Sequence, residues 1–171
     1  MKILNIITAA VLLSVLALAP GCSLLKKKVE KTENKKYNIT SVNKTSFRIE
    51  NTNGKINITG SNDSSNVIRV EAEITAKVKS DEMDKPLDNV NIKIDSAGNE
   101  VIIETEINQT NSTFFRKNNA PEVNYTIKIP ANIKVHTESV NGSIIITKVN
   151  GDVHAETVNG KLSLFGCPGK L

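Results

Sequence analysis

From Ser41 onward, apolar and polar residues alternate in short runs separated by turn-forming residues. Phe47-Arg48-Ile49-Glu50 and Lys55-Ile56-Asn57-Ile58-Thr59 alternate on either side of Asn53-Gly54, the strongest two-residue hairpin signal. Val67 to Val78 is a longer period-two run in which Ile68, Val70, Ala72, Ile74, Ala76 and Val78 share a side. Asn91 to Asp95 and Val101 to Ile107 flank Ser96-Ala97-Gly98-Asn99 and predict a hairpin. Asn124-Tyr125-Thr126-Ile127-Lys128-Ile129 predicts a further strand ending at Pro130, which cannot donate to a ladder. The intervening stretches, Gly60 to Asn66, Lys79 to Asn89 and Asn108 to Pro121, are polar and predict loops. No stretch of the body carries a helical period, so the chain is expected to be all-β.

The last third adds an internal repeat. Val-Asn-Gly occurs three times at nine-residue steps, ending at Gly142, Gly151 and Gly160, with Gly169 one further step along. Val135-His136-Thr137-Glu138-Ser139-Val140-Asn141-Gly142 is echoed eighteen residues later by Val153-His154-Ala155-Glu156-Thr157-Val158-Asn159-Gly160. The turn positions are Asn53, Gly54, Asn141, Gly142, Asn150, Gly151, Asn159 and Gly160. An antiparallel meander or sandwich would place residues eighteen apart two strands from each other, with no reason to be alike. Coils of about 18 residues would stack like on like at the inter-strand spacing of about 4.8 Å. The echo therefore predicts a β-solenoid-like repeat domain preceded by β-hairpins, with the antiparallel meander or sandwich as the alternative.

Three segments follow from composition. Met1-Lys2 and the apolar Ile3 to Ala19 predict a secretory signal, because the run is shorter than the roughly 20 residues a membrane span needs. The ending Leu18-Ala19-Pro20-Gly21-Cys22 resembles the lipobox of bacterial lipoproteins, although Leu18 lies one position further from the cysteine than usual. That resemblance implies a signal peptide over 1–21, lipidation of Cys22 and anchoring without a spanning helix. Lys26 to Lys36 holds six lysines, so residues 22–40 are expected to be a basic tether lying against membrane lipid headgroups. The domain proper is expected over 41–171.

Without the tether the body is nearly neutral, which argues against nucleic acid as a partner. With Cys22 lipidated, Cys167 is left unpaired, so no disulfide framework is expected.

Ile49-Glu50-Asn51-Thr52-Asn53-Gly54-Lys55-Ile56-Asn57-Ile58, Tyr125-Thr126-Ile127-Lys128-Ile129-Pro130 and the Val-Asn-Gly series together resemble the putative-adhesin, β-strand-repeat domain of bacterial envelope proteins, a domain of unknown function. The resemblance implies a right-handed β-solenoid-like fold, an envelope location and no established enzymatic activity. Family members continue through further repeats, whereas Lys170-Leu171 stands in register with Lys161-Leu162. The C-terminal edge is therefore expected either to self-associate with a second copy or to mark a truncated product.

The chain carries no nucleophile elbow, phosphate loop, His-Glu-x-x-His or dinucleotide fingerprint. His136 and His154, beside Glu138 and Glu156, are weak metal candidates; a solvent-facing polar ladder accounts for them better, so no metal and no cofactor is expected. Asp81, Glu82, Asp84 and Asp88 lack the spacing and glycine of a calcium loop. The absence of Trp removes the usual sugar-stacking platform. The reading is a non-enzymatic, membrane-anchored envelope protein displaying a β-domain for adhesion, binding or structure. Ser23 rather than an aspartate after the cysteine points to the outer membrane if the cell is Gram-negative. The alternative is an accessory or sensing partner of an envelope-stress system, acting through contacts with an envelope protein.

Overall fold

The computed structural model describes residues 28–80, 87, 89–107 and 120–170. Eleven strands run in chain order: β1 (Lys28–Thr40), β2 (Ser46–Asn53), β3 (Ile56–Ser61), β4 (Val67–Lys79), β5 (Val90–Asp95), β6 (Glu100–Ile107), β7 (Glu122–Pro130), β8 (Lys134–Asn141), β9 (Ile144–Thr147), β10 (Val153–Thr157) and β11 (Leu162–Phe165). Among the described residues there is no α-helix. The strands form two open sheets, a six-stranded one ordered β1-β4-β7-β3-β9-β11 and a five-stranded one ordered β10-β8-β2-β6-β5.

Period-two alternation drives each strand to bury one face. Val70, Ala72, Ile74 and Ala76 of β4 and Val123, Tyr125, Ile127 and Ile129 of β7 turn inward from the six-stranded sheet. Phe47 and Ile49 of β2, Val101 and Ile103 of β6 and Val135 of β8 turn inward from the other, and all of these join one core. The molecule is therefore a two-layer β-sandwich.

The predicted solenoid does not describe the whole domain. Residues eighteen apart are indeed neighbours at the C-terminal end: β10 lies parallel to β8 with Val153 opposite Val135 and His154 opposite His136, and β11 lies parallel to β9 with Leu162 opposite Ile144. The next strands inward are not consecutive in the chain. β8 pairs in parallel with β2, and β9 with β3, each across 88 residues, as in Ser46 opposite Lys134 and Ile56 opposite Ile144. Beyond them β4–β7, β1–β4 and β5–β6 are antiparallel. A continuous solenoid needs parallel, successive coils. The sheets are mixed, so the sandwich alternative fits better, and an all-antiparallel meander is also excluded.

Two local expectations change as well. Asn53-Gly54 does not close a hairpin, because β2 and β3 belong to different sheets. It is a corner where the chain crosses between layers, with Gly54 at φ 111°. The β5–β6 hairpin, by contrast, forms as predicted, with Ile94 opposite Ile103. The Lys44 ammonium reaches over to its turn, donating to the Gly98 carbonyl at 2.7 Å and the Glu100 carbonyl at 3.2 Å.

Residues 28–40 of the stretch expected to be a basic tether form strand β1 instead. Lys28 to Thr40 pairs along its entire length with β4. Lys31 is only 6% exposed and lies 3.2 Å from Glu33, and the Leu87 N–H donates to that carboxylate at 3.0 Å. Lys36 pairs with Glu71 at 2.8 Å. Four of the six lysines expected on headgroups, Lys28, Lys31, Lys35 and Lys36, are thus part of the folded body. Cys22 and the acidic residues Asp81, Glu82, Asp84 and Asp88 lie outside the described residues.

Asp63 gathers the charges at one end of β4. Its carboxylate accepts from Ser65 and lies 3.1 Å from Lys128 and 3.4 Å from Arg69. These bonds, with the Ser65 hydroxyl first and Lys128 second, hold its pKa well below the usual carboxylate range. A native pKa below the unfolded value stabilises the fold above the unfolded value and stops doing so as pH falls through the native one. The melting-temperature gap between the wild type and Asp63→Asn is therefore expected to be constant from neutral pH to about 5, then to close on further acidification. A gap independent of pH down to strong acid would refute this role.

Candidate functional site

The outer face of the five-stranded sheet carries the most ordered polar array. Parallel, unshifted pairing places equivalent positions side by side, so chemistry repeated in the sequence becomes a row across the sheet. One row is Ile102, Arg48, His136 and His154, and the next is Glu104, Glu50, Glu138 and Glu156. Like charges side by side repel, and Arg48 offsets this for the middle of the row. Its guanidinium donates from Nε to Glu50 at 2.8 Å, and its Nη2 lies 2.7 Å from Glu50 and 3.3 Å from Glu138. The hydrogen bond to Glu50 is the main cause holding the Arg48 pKa above its ordinary value. At the sheet edge Lys93 bonds Glu106, which raises its pKa in the same way.

The two histidines stack, with ring centroids 4.6 Å apart and planes tilted by 51°. Nε2 of His136 lies 2.6 Å from Glu138, and Nε2 of His154 lies 3.0 Å from Glu156. Each ring thus engages the carboxylate two residues along its own strand. Among the described residues no three His, Cys, Asp or Glu side chains are placed to hold a metal ion. A shallow groove of about 480 Å³ runs along the carboxylate row, lined by Glu50, Glu104, Glu106, Glu138, Glu156 and the exposed Val158.

The predicted turn residues come together at the sandwich corners. The Asn141 side-chain amide donates to Asn53 Oδ1 at 2.9 Å, and the Asn159 side-chain amide to Asn141 Oδ1 at 3.1 Å. Gly54, Gly142 and Gly160 stack beside this ladder: a Cβ on Gly142 would lie 1.9 Å from the Gly54 oxygen, and one on Gly160 would lie 1.9 Å from the Gly142 oxygen. Asn150 and Gly151 occupy the other corner, where the Asn150 amide donates to Asn132 at 3.2 Å.

The sequence expectation covered the histidines, Glu138 and Glu156, but not Arg48, Glu50 or Glu104. A signal for Glu50 was present. Glu50-x-x-Asn53-Gly54 matches Glu138-x-x-Asn141-Gly142 and Glu156-x-x-Asn159-Gly160. Eighty-eight residues separate the first copy from the second, so it does not show as a short period.

No protein family and no curated protein matches the sequence. Solved structures to which the chain is similar include a putative cell adhesion protein from Clostridium sporogenes, at 14% identity over 81% of this chain and 61% of that one, with a TM-score of 0.43. Putative adhesins from Parabacteroides merdae and Parabacteroides distasonis share 15% and 16% identity over 80% and 78% of this chain, each with a TM-score of 0.31. The chain spans 53% and 52% of those two proteins, so it covers less than two thirds of all three.

Proposed function

We propose that the chain is a non-enzymatic, lipid-anchored protein of the cell envelope that displays its β-sandwich for adhesion, binding or structure. The observation that carries this reading is the order of parts. An apolar leader ending in Leu18-Ala19-Pro20-Gly21-Cys22 is followed after five residues by the first strand of a sandwich. A lipid on Cys22 would hold such a sandwich close to the bilayer, since five extended residues reach no more than about 18 Å. Among the described residues no element covers the outer face of either sheet, and the carboxylate row on the five-stranded one is the surface offered to a partner.

The test is the chemistry of the mature N-terminus. Mass spectrometry of the chain from its native membrane is expected to show cleavage before Cys22 and a diacylglyceryl group on its sulfur. Cys22→Ala is expected to abolish both and to move the chain out of the membrane fraction. An unmodified Cys22 in the mature protein would defeat the anchoring. Crosslinking in intact envelopes addresses the partner: one dominant membrane protein would favour the accessory or sensing role over surface display.

A further inference from the structure

The outer face of the five-stranded sheet is not polar throughout. Strand alternation turns Val140 of β8 and Val158, just past β10, outward, where they are 43% and 75% exposed. The Val158 N–H donates to the Ser139 carbonyl and the Asn159 N–H to the Val140 carbonyl, so the two valines lie side by side. Thr52 of β2 is next along, since Asn51 stands opposite Ser139 and Asn53 opposite Asn141. A line of small side chains, apolar at Val140 and Val158, therefore runs beside the carboxylate row, two residues further along each strand.

The groove over these two lines is short of cations. Its lining holds five glutamates and no lysine or arginine, on a chain whose net charge is +4. Arg48 serves Glu50 and Glu138 in the middle of the row. The two ends are not served in this way. Lys93 stands opposite Glu104 but bonds Glu106 instead, and Glu156 meets only the His154 ring among the described residues. Carboxylates held at the inter-strand spacing of about 4.8 Å repel one another. Cations laid along the row relieve that repulsion, and apolar side chains laid beside them cover the valines.

On the reading that the sandwich is displayed for binding, on which this step rests, we infer that the five-stranded outer face is a docking site for a basic amphipathic helix of a protein partner. The helix lies across the strands, with lysines or arginines on the carboxylate row and its apolar stripe on Val140 and Val158. Spacing selects a helix. The four carboxylates span three steps of about 4.8 Å, roughly 14 Å in all. A helix repeats one face every turn of about 5.4 Å, so three turns cover about 16 Å and meet the whole row. An extended segment repeats one face about every 6.8 Å and overruns the row at about 20 Å. Neighbouring stripes of one helix also carry the two chemistries side by side, as the sheet does. An anionic lipid surface does not fit, because its headgroups would meet the carboxylates as like charges.

The test is fluorescence anisotropy with a labelled peptide of lysine, leucine and alanine, with lysines on one helical stripe and leucines on the next. It is titrated with the full chain in a zwitterionic detergent, with detergent alone as the blank. Saturable binding is expected. Glu104→Gln with Glu156→Gln, which leaves the Arg48 bonds in place, is expected to weaken it about tenfold at low salt and by less at high salt. Val140→Thr is expected to weaken it about threefold at either salt. Glu71→Gln with Glu73→Gln, exposed on the outer face of the other sheet, is expected to change nothing. No binding would overturn the proposal, as would equal binding of a peptide of the same composition in shuffled order, or equal losses from the two glutamine pairs. A dimer of the chain that is lost on Glu104→Gln with Glu156→Gln would give the face to a second copy, and would overturn it too. An unmodified Cys22 would remove the anchor and leave peptide binding as it is, whereas failed binding would remove this face and leave the anchor standing.

Discussion

Gly142→Ala is expected to destabilise the fold by about 3 kcal/mol or more, among the largest effects of any single methyl group in the chain. The added carbon would sit 1.9 Å from the carbonyl oxygen of Gly54 and 2.7 Å from its carbonyl carbon. Neither can give way, since the Gly54 N–H donates to the Asn141 carbonyl at 3.0 Å and the Ile56 N–H to the Ser143 carbonyl at 2.9 Å. Separating the two corners would break these bonds and the Asn53–Asn141 amide contact together. Gly98→Ala is the control. Gly98 has φ 61° but nothing within 4 Å of its added Cβ, so it should cost only the left-handed strain of about 1–2 kcal/mol. Equilibrium denaturation gives both numbers. Equal losses for the two variants would mean that the corners are not packed backbone on backbone.

Phe47→Ala is expected to cost about 3–5 kcal/mol, a large part of the 5–15 kcal/mol by which domains of this kind are stable. Phe47 is fully buried on β2, between Val101 of β6 and Val135 of β8. Large-to-small changes cost most where neighbours cannot collapse into the void, and a residue held between two paired strands has little room to do so. The matched change at the edge, Phe165→Ala, removes a ring that is 58% exposed and should leave stability within about 0.5 kcal/mol of the wild type. Guanidinium unfolding midpoints with unchanged slopes would separate the two. A Phe47→Ala loss below 1 kcal/mol would mean that β2 is not the centre of its sheet.

β2 shows where reading the chain in order goes wrong. Its alternation and its Asn-Gly ending were plain, and a hairpin is the cheapest use of them, because closing a short loop costs little entropy. The fold instead spends β2 on partners far along the chain, β6 and β8, and sends β3 into the other sheet. Most pairings here are long-range in this way, so the order of strands could not be read from local signals. The polar site was legible to the same degree. His136 over His154 and Glu138 over Glu156 followed from the eighteen-residue echo, because parallel stacking aligns like residues. Arg48, which joins Glu50 to Glu138, became visible only with β2 in place.

The lysines of β1 teach the same lesson from the opposite side. As composition they read as a solvated tether. Among and just after them, however, lie Val29, Tyr37 and Ile39, and the last is buried opposite Ile68. Whether a basic stretch is linker or strand depends on whether a long partner is free to receive it, and β4 is that partner.

By itself, the sequence determined that the body from Ser41 onward is all-β, which residues of most strands after β1 face inward, where the turns fall, and that positions eighteen apart in the last third are neighbours. These depend on side-chain period and turn chemistry, which act over a few residues. Only the tertiary structure decided that the strands form two mixed sheets, that the Asn53-Gly54 corner stacks on Asn141-Gly142, that β1 closes one edge with inward charges, and that Arg48 binds the carboxylate row. These depend on contacts between segments up to about ninety residues apart, where the favourable energy comes from burying complementary surfaces and no local pattern records the choice.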